Sequence, residues 1–200
     1  MTIRGDSAEY DILYDACKSL EDDDLFTIEI GVREGMSSQV ILDALSEKKH
    51  WHLGIDPYGN IEYKHVDDPN TVWNGVPIPP RYSNQMKATL LKDLSGYENF
   101  SLLQLEDEEY MKRFHDGFPI YRNKKELRTV YDLVFFDGPH TTYANLKEAI
   151  FFAERSRKGT VFVFDDYPRY DMNDILKVIV NEFGFNLLKQ GKTKLALKKV

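Results

Sequence analysis

Three aspartates that close two apolar runs are the first residues in this sequence able to do chemistry together. Asp137 follows Leu133-Val134-Phe135-Phe136, and Asp165-Asp166 follow Val161-Phe162-Val163-Phe164. Short runs rich in Val and Phe read as strands buried on both faces. As parallel neighbours, such strands deliver all three carboxylates to one edge, where protonation, separation or a hard cation must relieve their repulsion. An all-oxygen set of few protein ligands plus waters suits Mg2+. Capping of a following helix by one or more of these acids is the alternative. His140, in Asp137-Gly138-Pro139-His140, is the candidate base, because an imidazole titrating near ~6.5 accepts a hydroxyl proton close to neutral pH. A histidine with no chemical role at a helix start competes with that reading. His50, His52, His65 and His115 show no convergent spacing and read as structural or exposed.

A second constellation lies earlier, in Glu29-Ile30-Gly31-Val32-Arg33-Glu34-Gly35-Met36-Ser37. The glycines let the backbone turn sharply and approach a ligand, and the helix that follows offers free N–H groups to a polar or charged partner. The expectation at Gly31 is a surface-facing loop that a side chain would obstruct without disturbing the fold. Arg33 stands where a dinucleotide fingerprint needs its second glycine, so the loop departs from that pattern. Asp56 ends the next apolar run, where an acid can accept both hydroxyls of a ribose, although an exposed acid heading the Asp-Pro turn is the plainer reading.

The elements that must position these residues follow from periodicity. Tyr10, Leu13, Tyr14, Cys17 and Leu20 mark a first helix, with the lone Cys17 packed on its apolar face. Residues 25–30, 51–56, 100–105, 131–138 and 160–166 read as strands, with helical spacing between them at Met36–Leu45, Met86–Leu94 and Leu146–Ala153. A last helix through Ile175, Leu176, Ile179 and Phe183 leads into an antiparallel pair, Phe185–Lys189 and Lys194–Lys199, separated by Gly191. Alternating strands and helices imply an α/β fold, a parallel sheet covered on both faces with ligands beyond the carboxyl ends of the strands. Residues 57–82 and 113–129 break the alternation. Both read as insertions that overhang the active face, the first as an aromatic lid over an acceptor.

With these motifs in place, the chain resembles class I S-adenosylmethionine-dependent methyltransferases, specifically the metal-dependent catechol-type and macrocin-like O-methyltransferases, over roughly residues 25–170. The resemblance implies a Rossmann-like seven-stranded sheet, mostly parallel, with its last strand antiparallel. It places Glu29 and Ser37 at the methionine end of the cofactor, Gly31 and Gly35 in the loop that approaches it, Asp56 at the ribose and, by position alone, Glu106 and Asp107 near the adenine. It also makes Asp137, Asp165 and Asp166 the Mg2+ ligands, with Asp137 at the cofactor as well, through the Asp-Asp-Tyr string Asp165-Asp166-Tyr167. His140 departs from the catechol-type pattern, which carries a lysine base there. Tyr58, Trp73, Tyr82, Tyr167 and Tyr170 are candidates for the acceptor wall. The implied reaction is methyl transfer to a hydroxyl of a small molecule or sugar. A nicotinamide-dependent oxidoreductase and a non-catalytic adenosylmethionine-binding module are the competing readings, and Arg33 with the carboxylate cluster disfavours the first.

Bulk properties bound the rest. A chain of 200 residues, 42% hydrophobic, fits one domain with one sizeable core. A formal charge of -7 and a pI near 5.3 argue against a surface that tracks phosphates, so nucleic acid is not an expected partner. No apolar run approaches the ~20 residues that cross a bilayer, and the start lacks the apolar stretch of a secretory signal. A cytoplasmic protein without membrane contact is expected, and a homodimer is compatible with the sequence.

Overall fold

The computed structural model describes residues 7–61, 66–68, 72–73, 76–77 and 82–200. In chain order the elements are α1 (Tyr10–Lys18), β1 (Asp24–Ile30), α2 (Met36–Ala44), β2 (Lys49–Ile55), β3 (Val72–Trp73), β4 (Val76–Pro77), α3 (Asn84–Asp93), β5 (Phe100–Leu103), α4 (Asp107–Arg113), β6 (Phe118–Tyr121), β7 (Lys125–Arg128), β8 (Leu133–Phe136), α5 (Thr142–Glu154), β9 (Val161–Phe164), α6 (Met172–Asn181), β10 (Phe185–Gln190) and β11 (Leu195–Lys199). Seven strands form one sheet in the order β10-β11-β9-β8-β1-β2-β5. Its pairs are parallel except those made by β11, which runs antiparallel to both β9 and β10. The Rossmann-like architecture expected from the alternation is therefore present, with the final strand reversed between two others.

The apolar runs explain the centre of this sheet. Every residue of β8 and β9 is buried, because helices cover both faces and neither face can be polar. On one face Phe136 stacks on Phe164 at 4.4 Å, and Phe152 of α5 meets Phe136 edge-on. On the other face α1 presents Ile12, Leu13, Ala16 and Cys17. Burial raises the Cys17 thiol far above its ordinary range, so it packs as an inert side chain.

Strand order reverses between β1 and β8. From β1 the chain steps outward through β2 to β5 and then returns to β8 on the other flank. Loops leaving the two central strands diverge there, which opens a crevice at the carboxyl edge.

Residues 113–129 do not overhang that edge. They carry the hairpin β6–β7, whose Arg122 and Arg128 reach Asp24 at 3.1 and 2.5 Å, and Asp24 is the first residue of β1. Phe118 stacks on Phe26 just above it. The hairpin is thus pinned at the amino-terminal end of the sheet, because its basic residues answer an acid there. In the other insertion, where it is described, Val66 pairs with His140, and Asp67 accepts from the backbone N–H and hydroxyl of Thr142 at 2.9 and 2.7 Å.

The segment before α1 is fastened to the turn between β10 and β11. The Glu9 carboxylate accepts backbone N–H groups of Lys192, Thr193 and Lys194, which hold its pKa at about 2 rather than 4.5. The ionised form is the one the fold favours, so this contribution is complete above pH 4.5 and is lost as pH falls toward 2. Glu9→Gln is expected to speed amide exchange of residues 7–10 at pH 7. Equal protection in both proteins would show that the clasp contributes nothing. Among the described residues no helix is long and apolar enough to cross a membrane.

Candidate functional site

The crevice holds a cavity of about 420 Å³, within the range of small-molecule sites. Its floor is the loop from Gly31 to Ser37 that joins β1 to α2, with Gly31 at φ +83° and Gly35 at φ +87°. Gly35 lets the chain enter α2 in a left-handed conformation that side chains resist. Gly31 is required by the fold as well as by any ligand, which corrects the expectation of a freely exposed loop. A Cβ there would lie 2.0 Å from the Asp137 carbonyl oxygen, where the carboxyl ends of the paired strands β1 and β8 run side by side. Gly31→Ala is therefore expected to cost about 2–3 kcal/mol of stability, through overpacking against backbone and a left-handed φ. An unchanged urea midpoint would mean the two strand ends part without strain.

Two buried acids brace the loop from beneath. Asp56 accepts the N–H groups of Val32 and Arg33 on Oδ2, at 3.0 and 2.9 Å, and that of Tyr58 on Oδ1 at 3.0 Å. Burial raises its pKa while these donors oppose the rise. A carboxylate has about four lone-pair sites, so Oδ1 keeps one for a hydroxyl in the cavity that Asp56 lines. Glu29 is wholly buried and accepts both the Ser37 and Ser38 hydroxyls, with His52 Nε2 at 3.3 Å. It does not line the cavity, whereas Ser37 does. Its place is under the loop as a brace. His52, bonded also to Thr27 at 2.9 Å, is structural as its sequence context suggested.

The three-carboxylate cluster at the strand ends does not form as expected. Asp165 is 2% exposed and receives the Lys194 ammonium on Oδ1 at 2.6 Å and the Ser7 hydroxyl on Oδ2 at 2.6 Å. Lys194 is itself fully buried, donates to Ser7, and lies between the rings of Tyr10 and Phe135. Pairing with Lys194 competes with any cation for this carboxylate. Asp137 and Asp166 do come together, each with a carboxylate oxygen 3.8 Å from His140 Nε2. Asp166 adopts φ 46°, a conformation costly for a non-glycine residue, and Arg169 approaches it at 3.3 Å. Burial, then the neighbouring Asp165, raises its pKa to about 6. Among the described residues no group of three or more His, Cys, Asp or Glu side chains is arranged to hold a metal.

His140 is 3% exposed and lies parallel to the Tyr170 ring at 6.4 Å, while Asp137, Gly138, Pro139 and Thr141 around it line the cavity. Glu106 and Asp107 line the far end, at the start of α4. Of the aromatic candidates, Tyr82 lines the cavity, Tyr58 is buried behind the loop and donates to the Arg33 carbonyl, and Tyr167 donates to the Gly191 carbonyl. The side chain of Trp73, like all of His65, lies outside the described residues. Residues that the sequence reading missed are Tyr10, Arg33 and Thr141 in the lining and Lys194 behind it.

Comparison with known proteins places this architecture. A family model described as a methyltransferase domain matches residues 28–167, from β1 past the strand-end acids. A curated protein of Acanthamoeba polyphaga mimivirus is 24% identical over 173 residues, 86% of this chain, and the chain spans 65% of that relative's length. Among solved structures, an O-methyltransferase of Bacillus cereus in complex with SAH has a TM-score of 0.63 at 12% identity, covering 100% of this chain and 84% of that one. A calicheamicin methyltransferase (TM-score 0.57, 16% identity, 94% and 76% covered) and an rRNA methylase of Streptococcus thermophilus (0.57, 13%, 98% and 99%) share the fold. With the family model spanning the sheet centre, the glycine loop and the crevice, the chain belongs to the methyltransferase-domain family.

Proposed function

We propose that this enzyme methylates a hydroxyl of a small molecule or sugar, with His140 as the base and no magnesium ion in the ligand set. The observation that carries the reading is His140 Nε2 set 3.8 Å from both Asp137 and Asp166, beside a cavity that Asp137 lines. The residues fit S-adenosylmethionine: a glycine loop with free N–H groups at the start of α2, Ser37 for the methionine end, Asp56 Oδ1 for the ribose, and Glu106 with Asp107 for the adenine. When bound, that group supplies an electrophilic methyl on a sulfonium.

The chain's own part is to bind, orient and deprotonate. Asp137, which lines the cavity, takes the acceptor's O–H proton and relays it to His140 buried beside it, and the resulting imidazolium is stabilised by the two carboxylates that flank it. The proton removed from the hydroxyl oxygen, where the methyl of a bound S-adenosylmethionine would replace it, stays on the protein. Mg2+ does not fit the site the sequence suggested, because Asp165 is committed to Lys194. The relatives named for an O-methyltransferase activity and for calicheamicin support a hydroxyl acceptor by analogy.

The test is release of S-adenosylhomocysteine with a panel of sugar and phenolic acceptors, each with and without excess EDTA. Turnover on a hydroxyl in EDTA is the expected result. Turnover that needs added magnesium would restore the metal, and transfer confined to RNA or to amines would overturn the acceptor class.

A further inference from the structure

Glu148 has no part in the reaction above, yet it is a carboxyl group with 1% of its surface exposed, on the buried face of α5 beside Asn145, Ala149 and Phe152. It faces Asp107, the first residue of α4, and Asp107 lines the cavity. Among the described residues its Oε1 has no hydrogen-bond partner. The neighbouring Lys147 is turned outward to Glu108 at 2.9 Å, and among the described residues Glu148 has no cation partner. From the segment before α6, the buried Tyr170 phenol is the other titratable group near it, and that hydroxyl donates to the Asp165 carbonyl.

An ionised carboxylate without donors, next to a second carboxylate, would be strongly disfavoured in such a place. Burial, then Asp107, pushes the Glu148 pKa well above the ordinary range. A buried carboxyl with an unpartnered oxygen, set against a second carboxylate, favours its neutral form, and the acceptor facing its proton is Asp107. A neutral carboxylic acid is a hydrogen-bond donor, and one that cannot move because helix packing surrounds it.

We propose that Glu148 is a protonated positioning residue that fixes the Asp107 carboxylate in the cavity wall, so that the site selects a 6-amino purine over a 6-oxo purine. The inference rests on reading the cavity as the adenosylmethionine site. A carboxylate only accepts, so it matches the exocyclic amine of adenine and opposes the carbonyl of hypoxanthine. A mobile aspartate escapes that conflict by shifting to the N1–H of the oxo purine. An aspartate held by Glu148 does not.

Calorimetric titration with S-adenosylhomocysteine and S-inosylhomocysteine tests this in the wild-type protein, Glu148→Gln and Glu148→Leu, each checked for folding by circular dichroism. The wild type is expected to prefer the adenosyl ligand by about tenfold, the scale of one hydrogen bond to a charged group. Glu148→Gln, which keeps a donor, retains that ratio. Glu148→Leu still binds both ligands, but the ratio falls to about twofold as Asp107 is released. Should the Leu variant not fold, Asp107→Asn is expected to lose the preference in its place, because an amide can present either a donor or an acceptor. Tight binding with an unchanged ratio in Glu148→Leu, or in Asp107→Asn, overturns the inference while leaving the cofactor site intact. Failure of the folded wild type to bind either ligand overturns the cavity reading itself.

Discussion

Replacing Lys194 with Met is expected to lower the free energy of unfolding by about 3–5 kcal/mol, the scale for stranding one member of a buried ion pair. In a chain of this size that moves the thermal midpoint by on the order of 10 °C. The large effect follows from burial on both sides: Lys194 is wholly enclosed, Asp165 is 2% exposed, and after the change the Ser7 hydroxyl is what remains to answer the carboxylate among the described residues. Removing the charge as well, in Lys194→Met with Asp165→Leu, should recover most of the loss, because two apolar side chains need no compensation there. Urea titration of the three proteins reads both effects. A single variant within about 1 kcal/mol of the wild type would mean that water reaches Asp165, since exposed pairs are worth no more than that, and would return that carboxylate to the set of potential metal ligands.

His140→Ala should lower methyl transfer by about 10²–10⁴-fold, the usual contribution of a positioned general base, while the Kd for S-adenosylhomocysteine changes little. The separation is expected because His140 does not itself line the cavity, whereas most residues proposed for the cofactor lie on the β1–α2 loop, at Asp56 and at the start of α4. Single-turnover rates with saturating acceptor, set against calorimetric affinity, measure the two quantities independently. Equal rates in the variant and the wild type would remove His140 from the chemistry and leave the proton to Asp137.

The parts of this molecule legible in the sequence are those fixed by local pattern. β8 and β9 read as continuous apolar runs because both their faces are covered, and Gly31 and Gly35 announce a left-handed turn whatever surrounds them. The site was misread where side-chain direction mattered. Asp165 and Asp166 are adjacent, but the chain leaves β9 and turns left-handed at Asp166, so Asp165 joins Lys194 while Asp166 joins His140. Nothing local marks Lys194 as the partner, since it arrives on an antiparallel strand and Ser7 comes from the far end of the chain. The basic residues of 113–129 were visible, but only the acid they meet, Asp24, decides which end of the sheet they cover. Glu148 did leave a signal: it falls in register with Asn145, Ala149 and Phe152 on the buried side of α5, a carboxyl at an apolar spacing.

The braced loop also bears on the rhythm of turnover. Val32, Arg33 and Tyr58 donate to Asp56, and Ser37 and Ser38 to Glu29, so the protein's own buried acids hold the loop in place. A cradle assembled in advance surrenders little conformational freedom when it is filled, which favours tight capture. The spent thioether differs from the incoming sulfonium by one methyl and one charge, and it meets the same finished cradle. Capture and escape are then opposite faces of one rigidity, and departure of S-adenosylhomocysteine is expected to pace the cycle once acceptor saturates.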